Sequence, residues 1–397
     1  MSTTFCRPIS SIERMYFPMR EMAPPFLMQL EIKGEGTIDA AQLRAAVEIA
    51  ADACPGARLV RDGDYWVDSG VPPAVREVSG HKLNGARLEE DPVLTSPIGP
   101  RPESTCEILL LTARPVTVIF RAFHGVMDGR GVVLWATNVF RALRGQPPLA
   151  MADPISDEGL VRELGPTGKP TLLIPRFRSP VGHGRQNRDR AKHLLRHRSI
   201  KVAGSGALAR VAQVLATEAG STQRIMMPVD LRRHAPELRS TANLALPLFL
   251  DVAPGQSWVQ INADKRAGLA ERRELDQIGN SSIAAAPAPV ARTILRASNW
   301  LGARFGRNLV SAAVSHLGRF DLEELSTPEF VATTVRALPQ HSVAMPLLFA
   351  MTEAGGLTEL TVSARNGRGI ESRLEALLDR ITVALEEGVL QRASSSA

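Results

Sequence analysis

Strand-like and helix-like patterns mix along the whole chain without a regular strand–helix–strand alternation. That order constrains the fold more than any single motif, and it points to α+β layers with mixed sheets. Phe26–Lys33 (FLMQLEIK) places Met28, Leu30 and Ile32 on one face at period two and is broken by Gly34 and Gly36. Asp39 is suited to cap an Ala-rich helix ending at Cys54-Pro55-Gly56. ARLV and YWVD flank Arg61-Asp62-Gly63-Asp64, where Asp-Gly predicts a hairpin. Strands are expected over Glu107–Thr112 and Val116–Phe123, then a helix from about Gly131 to Leu143.

The second half restarts with a helix, Ala207–Ala219, and strands over Gln223–Val229 and Asn243–Val252. Ser257 is placed to cap a long helix reaching about Leu275, and a helical region spans roughly Val290 to Ser315. Three strands, Phe330–Ala337, Ala344–Thr352 and Leu357–Ala364, and a helix over Glu371–Glu387 complete the pattern. Arg392–Ala397 (RASSSA) reads as a frayed tail. Two halves of similar size and content suggest two related lobes. The expected division is an N-terminal lobe over 1–165, a crossover over 166–205 and a C-terminal lobe over 206–397. A length of 397 residues fits more than one domain, and 44% hydrophobic content is enough to fill their cores.

The net charge of +6 is unevenly placed. Arg176 to Lys201 holds nine basic residues against Asp189 alone, which leaves the rest slightly acidic. A candidate helix covers Arg188–Arg198 within this run. Arg176, Arg178, Arg185, Arg188 and Arg190 would suit the phosphates of a donor or an acidic carrier protein; a merely solvated crossover is the other reading. Nucleic acid fits poorly, because Phe177 is the sole aromatic there for base stacking. Cys6, Cys54 and Cys106 are odd in number and lack CxxC spacing, which favours free thiols, a reducing compartment and a cytoplasmic protein. No signal peptide and no membrane span is expected. No histidine spacing suggests a metal site, and no GxSxG elbow supports a serine hydrolase.

The chemistry concentrates in His124-Gly125-Val126-Met127-Asp128-Gly129, an HxxxDG on a strand-to-helix loop. A neutral imidazole there could take a proton from an attacking hydroxyl or amine. Asp128 could orient His124 or turn away and brace the loop by pairing with an arginine; bracing is favoured. Gly129 would allow close backbone approach. A purely structural alternative has His124 ending a core strand and Asp128-Gly129 capping the next helix.

The motif resembles the active-site signature of the superfamily that includes chloramphenicol acetyltransferase, condensation domains and stand-alone polyketide-associated or alcohol acyltransferases. Ile9–Met15 is similar to that superfamily's "LSxxER" start, Phe140–Gln146 to the helix end before the crossover, Pro228–Arg233 with Asn243 to its "vDLR…GN" segment, and Ser315–Gly318 to "SNLG". Phe123 stands where condensation domains usually carry an additional His, His316 stands where "SNLG" has Asn, and there is no DFGWG. The resemblance implies two chloramphenicol-acetyltransferase-like lobes, each a mixed sheet with flanking helices, arranged as a V with a tunnel between them. It implies direct transfer of an acyl group from acyl-CoA or acyl-phosphopantetheine, as co-substrate rather than cofactor, to a hydroxyl or amine of a small-molecule acceptor, a lipid or secondary metabolite. Two competing readings are a catalytically silent module recruiting a carrier protein and an epimerising or cyclising domain.

Overall fold

The computed structural model describes residues 4–83, 85, 87–99, 101–166, 168–184, 191–201, 206–280, 288–339, 342 and 345–395. Chain order begins with β1 (Cys6–Pro8), α1 (Ser11–Met22), β2 (Leu27–Gly36), α2 (Ala40–Ala53), β3 (Leu59–Asp62), β4 (Tyr65–Asp68) and β5 (Ala74–Val78). It continues through α3 (Pro92–Thr95), β6 (Cys106–Leu111), β7 (Val116–Phe123), α4 (Gly129–Leu143) and α5 (Asp157–Leu164). The second half contains β8 (His193–Lys201), α6 (Ala207–Ala219), β9 (Gln223–Asp230), β10 (Ala245–Val252), α7 (Trp258–Ala270) and α8 (Ala288–Phe305). β11 (Ala312–Arg319), β12 (Phe330–Leu338), β13 (Leu347–Ala354), β14 (Leu357–Arg365) and α9 (Ile370–Ser395) follow.

Two mixed sheets organise these elements. The first has the order β12-β2-β7-β6-β5, antiparallel except for β5 with β6. β6 and β7 are buried along their whole length, so their side chains pack on both faces. α2 and α4 pack on each other, and α4 also contacts β2 and β7. The second sheet has the order β10-β9-β11-β13-β14-β8, with β11 parallel to both its neighbours. α6 and α9 pack together against it. A small sheet, β1-β4-β3, holds the predicted hairpin.

Pairing between the named strands crosses the expected chain divisions twice. β8, inside 166–205, pairs with β14 of the second sheet, and β12, inside 206–397, pairs with β2 of the first over Phe330–Leu338.

Several local expectations need correction. The helix expected over Arg188–Arg198 is the strand β8 from His193 onward; 188–190 lie outside the described residues. Its arginines and leucines suit a helix locally, but β14 offers a nine-residue pairing, and charged residues are common on an edge strand. The helical region to Ser315 stops at Phe305, before Gly306 at φ 64°, and Ala312–Arg319 is an internal strand of the second sheet. The helix begun by Ser257 ends at Ala270, and Leu275–Asn280 forms a separate 3-10 turn. Finally, α9 runs through the expected tail as far as Ser395.

Candidate active site

The loop between β7 and α4 is held from both lobes. Its own hydrogen bonds come first: Val126 N–H donates to Phe123 O (2.9 Å), and His124 Nδ1 lies 3.2 Å from Met127 O. A carbonyl can only accept, so Nδ1 carries the proton and Nε2 keeps its lone pair. From the first lobe, Arg7 of β1 donates to Val126 O (3.1 Å) while its other nitrogen meets Glu13 (2.9 Å). Gly125 is required here, because an added Cβ would stand 2.4 Å from the Phe123 ring.

His124 sits under an aromatic cover. Tyr16 of α1 stacks on the imidazole at 4.4 Å between centroids and 11° between planes, and Phe26 lies at 6.0 Å. Phe26 adopts φ 53°, a left-handed conformation that a bulky side chain takes only when its surroundings impose it. Burial among these groups holds the His124 pKa below its ordinary value, against the opposing pull of Met127 O and Asp128. The residue nevertheless keeps some solvent access. Burial likewise raises the Tyr16 pKa, so its hydroxyl stays protonated.

Asp128 faces the other way. Its carboxylate accepts from Gly131 N (2.6 Å), capping α4, from Leu244 N (2.8 Å) and from Arg232 Nη1 (3.0 Å). Arg232 reaches further, to Asp230 (2.8 Å) and to the carbonyls of Ser240 and Ala242 (2.9 and 2.6 Å). Burial would lower the Arg232 pKa, but Asp128 and Asp230 outweigh it and the net shift is upward. Of the two geometries open to Asp128, the structure therefore has the arginine brace.

The loop Ser240–Leu244 thus lies directly on the motif. Asn243 Nδ2 donates to His124 O (3.1 Å), and its side chain lies beside the Tyr16 hydroxyl. A Cβ on Gly131 would lie 2.2 Å from Thr241 O, and one on Gly129 would touch Leu317 (3.2 Å) and Met28 (3.4 Å). Both glycines let the second-lobe segments approach the helix start.

Sequence reasoning singled out His124, Asp128 and Gly129, and these are adjacent here; Tyr16, Phe26 and Arg232 were not assigned to the site. Arg232 and Asn243 lie in the segment flagged by the resemblance and Tyr16 directly follows Ile9–Met15, but neither segment reveals which side chain meets His124 or Asp128. Phe123 points into an aromatic group with Phe17 (5.4 Å) and Trp66 (6.3 Å), and Arg20 lies over its ring. His316 pairs with Glu353 (3.0 Å). His81, His197 and His234 also pair with carboxylates, while His341 lies outside the described residues.

The basic residues are dispersed. Arg176 is exposed, over the Phe177 ring and 3.9 Å from Asp251, and Arg178 is exposed. Arg185, Arg188 and Arg190 lie outside the described residues. Cys54 and Cys106 are buried free thiols whose pKa values burial pushes up to about 12. Neither is suited to nucleophilic attack, since the thiolate is the reactive form.

No family model matches the chain, and no curated protein matches it in sequence. Solved structures do match. Polyketide synthase associated protein 5 from Mycobacterium tuberculosis superposes with TM-score 0.63 at 14% identity, over 96% of this chain and 97% of that one. The condensation domain of the Monacolin K polyketide synthase MokA gives TM-score 0.62 at 14% identity, over 96% and 98%. A starter condensation domain of rhizomide synthetase, in complex with C8-CoA and Leu-SNAC, gives 0.59 at 17% identity, over 97% and 95%. With near-complete coverage in both directions, the chain has the condensation-domain-like fold, two chloramphenicol-acetyltransferase-like lobes of mixed α+β structure.

Proposed function

We propose that this protein is an acyltransferase that moves an acyl group from a CoA or carrier-protein thioester to a hydroxyl or amine, with His124 as general base. The observation that carries the reading is the imidazole itself: Nδ1 is committed to Met127 O, the ring is kept neutral by burial, and Nε2 is left as a proton acceptor. In the reaction, Nε2 takes the proton of the acceptor O–H or N–H as that heteroatom attacks the thioester carbonyl. The tetrahedral intermediate then collapses and expels the thiolate, and the imidazolium returns the proton to sulfur. Ester or amide and free thiol result, with no acyl-enzyme. The inert buried thiols of Cys54 and Cys106 favour this direct route.

The donor assignment draws on the rhizomide synthetase neighbour with C8-CoA. The thioester acts as co-substrate, and a tunnel between the lobes would admit donor and acceptor from opposite sides. Arg176 and Arg178 are exposed and available to a phosphate-bearing donor.

The test is thiol release from a panel of acyl-CoAs and acyl carrier proteins with mixed alcohol and amine acceptors, wild type beside His124→Ala. A fall of about two to four orders of magnitude in the variant is expected for loss of a general base. Equal background in both proteins, with a carrier protein still bound, would replace the enzyme reading with that of a recruitment module.

A further inference from the structure

Two neighbouring segments carry a large share of the exposed apolar side chains. Thirteen large hydrophobic side chains are exposed among the described residues, and six of them fall in two segments: Leu172, Ile174, Val290, Ile294, Trp300 and Phe305. Leu172 is 73% exposed and Trp300 58%. Single exposed apolar side chains are ordinary, but a group containing both a Trp and a Phe marks an interaction surface.

Helical geometry explains how four of these share a surface. Val290, Ile294 and Phe305 fall on one side of α8, and Trp300 joins them through its edge contact with Phe305 (5.3 Å). The opposite face is used internally: Ala291 and Leu295 are buried, and Arg292 pairs with Glu21 of α1 (2.8 Å). The strap 171–178 is tied to the segments just before and just after α8. Thr171 N–H donates to Gln277 (3.0 Å) and Asn280 donates to Thr171 O (3.3 Å). At the other end, Phe177 and Asn308 exchange backbone hydrogen bonds (3.0 and 2.9 Å), and Arg307 donates to Arg176 O (3.1 Å). Leu172 and Ile174 thus lie on a strap whose two ends are tied to the segments that flank the helix.

The helix itself carries charge of one sign, and the acidic groups at its margins, Glu21 and Asp251, are paired with Arg292 and with Arg224 and Arg176. From Pro289 to Asn308 there are four arginines and no Asp or Glu. Arg296, Arg304 and Arg307 are exposed, as are Arg176 and Arg178 on the strap. Aliphatic and aromatic side chains interleaved with arginine, with no acidic residue on the helix itself, fit a phosphate-bearing apolar interface better than the charge-depleted core of a protein contact.

We propose that α8 and the strap 171–178 form a peripheral docking surface for an anionic lipid bilayer. Trp300, Phe305 and their aliphatic neighbours enter the headgroup boundary, and Arg296, Arg304 and Arg307 meet lipid phosphates. No helix among the described residues is long and apolar enough to cross a membrane, so the surface lies on the bilayer rather than spanning it. The placement also matters for the site: α8 packs on α1, whose Tyr16 covers His124. A lipid acceptor leaving the bilayer would meet the protein one helix away from the imidazole.

Vesicle binding tests the docking surface without reference to acyl transfer, so either idea can fail alone. The full chain is sedimented with vesicles of phosphatidylcholine alone or with a third phosphatidylglycerol. Binding is expected to the anionic vesicles, to weaken with salt, and to shift Trp fluorescence to the blue, with the shift lost in Trp300→Phe. Trp66 and Trp135 are fully buried and cannot report it. Trp300→Glu with Phe305→Glu should abolish binding, and Arg296→Gln with Arg304→Gln should weaken it on the order of tenfold, each with an unchanged melting temperature. Vesicle binding that the folded variants retain would overturn the proposal. So would absence of vesicle binding, with an acidic carrier protein captured by the wild type and lost in the same variants.

Discussion

The two ends of the HxxxDG segment are built from opposite materials. At His124 the surroundings are aromatic and uncharged, with Tyr16 stacked on the ring and Phe26 beside it. Four residues on, Asp128 is enclosed by a buried arginine and two backbone N–H groups. The difference suits the roles proposed for the two residues. A base at neutral pH must remain uncharged, and burial among apolar rings favours the neutral imidazole. A brace between lobes must remain charged, and a buried carboxylate persists only when paired and hydrogen-bonded.

His124→Ala breaks the comparison most severely. Acyl transfer should fall by about two to four orders of magnitude, while the melting temperature should change little, because the ion pair at Asp128 is untouched. Arg232→Ala strikes the other end. It leaves Asp128 buried without its partner and should cost about 3–5 kcal/mol of stability, read as a fall in unfolding midpoint. Asp128→Ala combined with Arg232→Ala should cost less than the two single losses added together, since no orphaned charge remains. If both single variants melt like wild type, the brace contributes no stability.

A smaller effect is expected from Tyr16→Leu. Removing the stacked ring admits water to the imidazole, so the acid limb of the pH–rate profile should move up towards 6.5, with about a tenfold fall in kcat. A fall in rate with an unmoved limb would assign Tyr16 to packing alone. The sign of the wild-type profile follows from the lowered His124 pKa: the ring stays neutral below 6.5, and activity should persist there until protonation overtakes it. In the unfolded chain the ring takes up its proton near 6.5, so falling pH through that value favours unfolding. Smallest of all, Arg178→Gln, on an exposed side chain, should change stability by no more than about 0.5 kcal/mol.

Much of this arrangement was legible before any coordinates. The apolar run VTVIFRAF, the tight loop and the following helix fall where the residues place them, because strand, turn and cap signals agree locally. β11 was hidden because Ala312–Val314 is an apolar run, and a buried strand in the interior of a sheet has no alternation to separate it from a helix. β8 was hidden because its residues favour a helix and its pairing with β14 is more than 150 residues away. The partners of the motif were out of reach for the same reason. Arg232 lies 104 residues from Asp128, and Asn243 lies 119 from His124. Nothing local marks which polar side chain closes such a distance.

The central claim is a neutral His124 with its proton on Nδ1 and its lone pair on Nε2. Nitrogen NMR of protein labelled at histidine tests it directly, with His124→Ala identifying the resonances. The account predicts a neutral ring protonated at Nδ1 and titrating below 6.5. A ring protonated at Nε2, or one that takes up its second proton above 6.5, would contradict it.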